Sequence, residues 1–322
     1  MTIFSVPGPV KALFDHFPLQ TYPSISKRDE AMNYELAQRT YDFQGPNALQ
    51  ADINDTFTLG VYNTFQEPSS DVALATDPWC LYAQLSLCKK NSLKLPRATK
   101  AESNRPSKPR QKMALLSPLA TQNESLPILV EGYNKRFIRS SDDIHDSLKS
   151  RAAEDPPQLM YISLLEHVIY DCWMTQVLYH LNNDDFLKLY SFESCPGRNN
   201  LLVQRLAVQG LKASLIKRNE FFLRHKVLAQ NIESTGVSYN STNLLEILDP
   251  ILERCKKVFL QFEKLFQSKQ FVDSPTHLEL KIASYVLCIM NLPIKVPLRS
   301  FLEERCKTLV NHSRAILNKF KN

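Results

Sequence analysis

Asp77-Pro78-Trp79-Cys80 places a thiol in the first turn of a segment whose Leu81, Leu85 and Cys88 recur at helical spacing. A helix N-terminus stabilises thiolate, so a cysteine there can become a nucleophile. The residue that opens this helix is Asp77, however, and its carboxylate cannot attack and would repel a second thiolate. Cys80 lies a turn inside with no partner thiol at position 77, which predicts a packed, unreactive sulfur. Tyr62, in the apolar run Phe57 to Phe65, is a second candidate. Its phenol could polarise a bound thiol, although a half-buried strand tyrosine needs no such role. Asp142, His145 and Asp146 stand at i, i+3, i+4 and imitate a metal-ligand set. An acidic first helical turn is equally well explained by the helix dipole. The seven histidines are scattered, with none at H-x-x-x-H spacing, so zinc chemistry is not expected. No residue is assigned a catalytic, metal-binding or cofactor-binding role.

The elements that must position these groups are legible around Pro127. Ile128 to Val130 is a short apolar run, Glu131-Gly132-Tyr133-Asn134 carries turn chemistry, and Lys135 to Ile138 reads as a return strand. Ser140 and Ser141 then offer N-cap hydroxyls, Asp142 and Asp143 suit a helix start, and Ile144 and Leu148 share one face. Phe57 to Phe65 predicts an earlier strand, Thr76 a cap with Pro78 in the first turn, and Met113 to Leu116 a further strand. After Pro156-Pro157 the apolar spacing is helical over 158–181, 201–232, 243–267, 276–290 and 298–320. Thr276-His277-Leu278-Glu279 is a capping box, and the helix it opens is apolar nearly all round, as a central buried helix would be.

With 322 residues and 43% apolar composition the chain can bury a sizeable core and is long enough for two domains. Seven glycines, none in G-x-G-x-x-G, P-loop or G-x-S-x-G register, argue against Rossmann, P-loop and α/β-hydrolase enzymes. A net charge of +6 suits an anionic surface or an acidic partner but is too small to indicate nucleic acid. Seven cysteines without C-x-x-C, mostly in apolar helical context, indicate reduced, buried thiols facing a reducing compartment. The N-terminus predicts neither a secretory leader nor a transit peptide, and the run Ile282 to Met290 is far short of the roughly 20 residues needed to span a bilayer.

Three regions are expected. Residues 1–55 form an N-terminal extension in which Val10, Leu13, Phe14 and Phe17 make a one-faced stripe between Pro9 and Pro18. That stripe either packs back on its own domain or docks on a partner. Residues 56–150 form a thioredoxin-like α/β domain, interrupted by a segment rich in Pro, Lys and Arg. From Lys89 to Lys112 nine basic residues face one acidic residue, so 97–112 is expected to be a mobile loop. It is either a solvated insertion or a weak contact with lipid headgroups. Residues 156–322 form an all-helical domain.

Proline, strand, hairpin, strand and capped helix, followed by helices alone, resemble the glutathione-transferase architecture. Within that superfamily SPTHLELKIASYVL (274–287) and LVNHSRAIL (309–317) are similar to the last helices of the metaxins. Residues 6–22, 59–65, 73–91, 126–141 and 158–173 resemble a fungal branch of the same family, and the likeness is weakest over 99–112 and 183–243. The resemblance implies a peripheral protein on the cytosolic face of the mitochondrial outer membrane. Its implied partners are an integral β-barrel subunit of the sorting and assembly machinery, a second metaxin-like subunit, and the C-terminal β-signal of β-barrel precursors. It also implies that Asp77 occupies the position of the catalytic Cys or Ser of transferases, that Ser141 matches the serine that holds the glutathione γ-glutamyl group, and that Pro127 is cis. A non-catalytic adaptor is therefore expected. The alternative is a glutathione-binding or glutathione-transferase enzyme, and a third possibility is a lipid-binding protein recruited by the basic loop.

Overall fold

The computed structural model describes residues 8–16, 30–50, 56–67, 70–98, 111–132, 135–152, 156–192, 201–233, 241–267 and 274–321. Residues 1–38 form one unit, with helices α1 (Gly8–His16) and α2 (Glu30–Gln38), and residues 39–322 form another. The helix anticipated from the N-terminal stripe is thus present as α1. The side chains of Val10, Leu13 and Phe14 on it, and Phe17 altogether, lie outside the described residues.

The second unit opens with β1 (Thr40–Asp42), α3 (Pro46–Gln50), β2 (Thr56–Val61), the hairpin β3 (Thr64–Gln66) and β4 (Ala73–Ala75), and α4 (Pro78–Asn91). There follow β5 (Gln111–Leu115), β6 (Ile128–Gly132), β7 (Arg136–Arg139) and α5 (Ser141–Ala152). The main sheet has the order β1-β5-β2-β6-β7. β2 runs parallel to β5, while the β1–β5, β2–β6 and β6–β7 pairs are antiparallel. β2 lies at its centre because Leu59 and Val61 are fully buried and Gly60 admits close neighbours. A Cβ on Gly60 would meet Leu116 Cδ1 at 2.5 Å and Ile128 Cγ1 at 2.8 Å.

Three boundaries differ from expectation. Glu131 and Gly132, expected in the turn, continue β6, where they pair with Phe57 and Thr56 of β2. The run Phe57 to Phe65 is two strands, since the chain turns at Asn63, whose Nδ2 donates to the carbonyls of Lys188 and Ser191. The extension expected to reach residue 55 rejoins the core at residue 39. β1 pairs with β5, and Phe43, fully buried, packs on Phe57 with ring centroids 5.6 Å apart. The ends of the anticipated basic loop are also tied down. Arg97 bridges to Val72, and Gln111 and Lys112 belong to β5, while 99–110 lie outside the described residues.

Helices follow from residue 156: α6 (Pro156–Leu164) and α7 (Tyr170–Thr175), joined by a π turn over Leu165–Ile169 and followed by a second over Gln176–His180. Next come α8 (Asn183–Tyr190), α9 (Leu201–Lys217), α10 (Phe221–Arg224), α11 (Lys226–Glu233), α12 (Ser241–Gln267), α13 (His277–Asn291), α14 (Pro297–Arg305) and α15 (Lys307–Lys319). The helix anticipated over 201–232 breaks after α9, where Asn219 and Glu220 take φ of 52° and 53°. Asn219 tolerates that region, and the hydrogen bond of its Nδ2 to Glu166 O (2.7 Å) holds it there. The one anticipated over 298–320 breaks at Cys306, and the new start at Thr308 and Leu309 is capped from α12 by the Glu263 carboxylate (3.0 and 2.8 Å).

The capping box of α13 forms as expected, with Thr276 N donating to Glu279 Oε2 at 2.6 Å and Glu279 N to Thr276 Oγ1 at 3.2 Å. Leu280, Ile282, Val286 and Ile289 on this helix are fully buried, each contributing about 1.5–3 kcal/mol of transfer free energy. α13 packs on α4 from the sheet layer and on α15 from the helical layer, so the two expected domains share one core.

Candidate functional site

The start of α4 is where thiol chemistry would reside, and the sequence closes it from within. Asp77, not Thr76, is the N-cap: its Oδ2 accepts from Trp79 N (3.0 Å) and Cys80 N (3.4 Å). Thr76 instead uses its hydroxyl to bond Leu189 O and Asn63 O. Arg218, at the break after α9, reaches Asp77 with both terminal nitrogens, Nη2 to Oδ1 at 2.7 Å and Nη1 to Oδ2 at 3.1 Å. Asp77 is 1% exposed and Arg218 5%. This is a buried bidentate ion pair, a geometry that arginine's planar fork provides and lysine's ammonium does not.

Aromatic side chains complete the enclosure. Tyr190 OH donates to Asp77 Oδ1 (3.1 Å) and accepts from Trp173 Nε1 (3.2 Å). Arg218 Nε donates to Tyr170 OH (3.1 Å), and that hydroxyl donates back to Arg218 O (3.2 Å). The guanidinium lies 5.0 Å from the Trp79 ring centroid and 5.5 Å from that of Tyr170. Burial, reinforced by the charge of Asp77, raises the Cys80 thiol well above its ordinary pKa, the reverse of what a nucleophile requires. Tyr62 is fully buried, and burial raises its phenol as well.

The Leu126–Pro127 peptide bond is cis, as the resemblance implies. The backbone of Leu126, which an extended ligand could have paired with, is already engaged. Its N–H donates to Tyr62 OH (3.1 Å) and its carbonyl accepts from Arg218 Nη1 (3.4 Å). Between the start of α4, Pro127 and Ser141 there remains a cavity of about 10 Å3, scarcely room for one water and none for a tripeptide. Ser141 faces this cavity and is not the helix cap. Ser140 caps α5, exchanging hydrogen bonds with Asp143 (Asp143 N to Ser140 Oγ 3.2 Å, Ser140 N to Asp143 Oδ2 3.0 Å). Ser141 Oγ is buried without a hydrogen-bond partner among the described residues.

The set Asp142, His145 and Asp146 does not converge. Asp142 accepts from Asn123 (3.2 Å), Asp146 is exposed, and His145 stacks on Trp79 with centroids 4.5 Å apart. Among the described residues no three His, Cys, Asp or Glu side chains gather as a metal site. His145 Nε2 points instead to Glu166 Oε1 (3.0 Å), a carboxylate that also holds Lys281 Nζ (2.6 Å) and lies 3.6 Å from Lys149 Nζ. Burial alone would raise the Glu166 carboxyl. The hydrogen bond with His145 and the charge of Lys281 outweigh burial and hold it well below the usual carboxylate range. A third cluster lies nearby: Asp171 accepts both Arg224 Nε (2.9 Å) and Nη2 (2.7 Å), and lies 2.9 Å from His225 Nε2.

Among the described residues, each of the three clusters engages its charges within itself, and the cavity at the start of α4 is too small for a ligand. None was apparent from sequence, because their partners lie 141, 115 and 53 residues apart. The one local signal was Glu166 and Asp171 inside an otherwise apolar helical stretch.

Comparison with known proteins agrees with an arrangement that serves structure rather than turnover. Residues 4–131 match the family model described as SAM35, subunit of the SAM complex. The chain is 42% identical over 328 aligned residues to the sorting assembly machinery 35 kDa subunit of Saccharomyces cerevisiae, an alignment covering 98% of each protein. An identity of that size, sustained over nearly the full length of both proteins, means that the chain belongs to the SAM35 family.

Proposed function

We propose that this chain is a non-catalytic subunit of the mitochondrial sorting and assembly machinery and supports the recognition and insertion of β-barrel precursors. The observation that carries the proposal is the 42% identity, over 98% of both chains, to a protein named as a subunit of that machinery. In this proposal it sits on the cytosolic face of the outer membrane as a peripheral protein. Among the described residues no helix is long and apolar enough to cross a membrane. Its partners in this proposal are the integral β-barrel subunit, a second metaxin-like subunit and the β-signal of the precursors.

The fold is proposed to be of the glutathione-transferase kind, as in metaxins. Supporting this are the strand order β5-β2-β6-β7 with one parallel pair, the helix α4 that reaches the parallel strand β5, the cis bond ahead of β6, and the helical layer after residue 156. Against the glutathione reading, the Leu126 backbone and Asp77 are already bonded within the chain, and the cavity beside Pro127 and Ser141 is too small for a tripeptide.

Unpaired precursor strands expose backbone edges and apolar faces and need a template before a barrel closes. Depleting the chain should therefore stall β-barrel precursors after they cross the outer membrane while import of presequence-bearing proteins initially continues. Protease-protection and native-gel assays on isolated mitochondria read both branches. Equal, simultaneous loss of the two branches would argue for a general membrane defect instead.

The stripe Val10, Leu13, Phe14 and Phe17 is proposed as part of the surface that docks on the barrel subunit. Replacing Leu13, Phe14 and Phe17 by Ser should weaken co-purification with that subunit and leave the melting temperature within about 2 °C of the parent, as expected of side chains outside a core. A matching loss of stability would make the stripe ordinary core.

A further inference from the structure

The sheet ends on β7, and among the described residues no strand lies beyond it. The strand and the residue before it read Lys135-Arg136-Phe137-Ile138-Arg139. Phe137 and Ile138 are each 54% exposed, and as neighbours in a strand they project to opposite faces of the sheet. Such an edge is a template for pairing, and natural proteins ordinarily blunt one with charge and leave apolar side chains off it. Here the charge is present and so are the apolar side chains.

The cations distinguish between occupants. Arg139 is fixed in place, its Nε bonded to the buried Glu131 carboxylate at 2.7 Å and its guanidinium 5.0 Å from the Phe137 ring centroid. Arg136 is exposed and has no ion-pair partner among the described residues. In a pairing of two copies through this edge, antiparallel and centred on Phe137, Lys135 of each copy would face Arg139 of the other, since residues 135, 137 and 139 share one face. Like charges directly opposite one another are destabilising. The edge is therefore guarded against its own kind and open to a strand that brings carboxylates.

We propose that the outer edge of β7 is a docking site for an extended segment of another protein, with apolar residues at alternate positions and a carboxylate opposite Arg136. Backbone hydrogen bonds would add it as a sixth strand to the sheet, Phe137 and Ile138 would contribute contact on both faces, and Arg136 would set register and exclude basic segments. The inference stands on this edge and is independent of the assembly role proposed above.

The test uses the full chain and a fluorescein-labelled octapeptide of alternating valine and threonine flanked by glutamates, read by anisotropy. Saturable binding is expected, weakened at least tenfold when the peptide's alternate backbone amides are N-methylated and at least tenfold when its glutamates are replaced by lysines. The double variant Phe137→Ser/Ile138→Ser should bind at least tenfold more weakly at an unchanged melting temperature. Arg136→Glu should reverse the preference toward the lysine peptide. Binding indifferent to methylation in both alternate registers, or absent at millimolar peptide, overturns the proposal. So does flotation of the chain with phosphatidylserine vesicles that depends on Phe137 and Ile138 while the peptide fails to bind, since the surface would then be a membrane contact.

Discussion

Replacing Arg218 by methionine is expected to destabilise the fold by about 3–5 kcal/mol, the usual cost of removing one partner of a buried ion pair. The reason lies less in the lost attraction than in what remains. Asp77 would keep its helix cap and the Tyr190 hydroxyl but would hold an uncompensated charge at 1% exposure. Tyr170 and the Leu126 carbonyl would each lose a donor. Because whole domains have stabilities of about 5–15 kcal/mol, such a loss should show in cells as low abundance. Arg218→Lys should recover only part of the loss, since an ammonium cannot bond both carboxylate oxygens in the plane. The double variant Asp77→Leu/Arg218→Met should be markedly more stable than Arg218→Met alone, because an apolar replacement of the whole pair leaves no orphan charge. Urea unfolding of the parent, Arg218→Met, Asp77→Leu and the double variant measures the coupling. A single-variant cost below about 1 kcal/mol would mean that the pair is solvated and weak. The pair also bears on function. The helix start at Asp77 is a structural anchor between α4 and the turn after α9, so defects of Asp77 variants should follow protein amount.

What the sequence revealed and what it concealed divide by range of interaction. The segment from Pro127 to Leu148 was legible because its signals are local: proline before a strand, turn residues, then hydroxyls and carboxylates at a helix start. The same holds for Thr276 and Glu279, whose capping box is written within four residues, and for the apolar surround of α13. β1 was missed because three residues carry too little alternation to register, although Tyr41 and Phe43 flanking Asp42 are the trace it leaves. The split of the first strand at Asn63 depends on carbonyls at 188 and 191. The break after α9 was hidden by Lys217-Arg218-Asn219-Glu220, four residues with no glycine or proline to announce a left-handed turn. That the Cys80 sulfur is packed was foreseen from its helical context, whereas the small cavity and the engaged Leu126 backbone required the whole fold.

Lys281→Met should produce a loss of about the same size as Arg218→Met, about 3–5 kcal/mol near neutral pH, and one that shrinks on acidification. Lys281 extends from α13 into a site where Glu166 also meets His145 and Lys149 of α5, while the Glu166 carbonyl accepts from Asn219. The Glu166 carboxylate thus joins the sheet layer to the central helix, and its backbone carbonyl adds the turn after α9. In the parent protein its pKa is held well below the ordinary value near 4.5, so its stabilising contribution is complete above that value and is lost as pH falls through the depressed one. Asp171, also depressed, acts in the same direction, and the parent should lose stability steadily below about pH 4.5. In the variant the strongest cation is gone, burial becomes the dominant influence on Glu166, and its carboxyl should rise toward or above the unfolded value. Protonation then relieves the variant where it harms the parent, so the difference in stability between the two should narrow between about pH 5 and pH 3. Chemical unfolding of both proteins across that range decides the matter. A difference that stays constant with pH would mean that His145 and Lys149 hold Glu166 ionised without Lys281, and that Lys281 contributes packing alone.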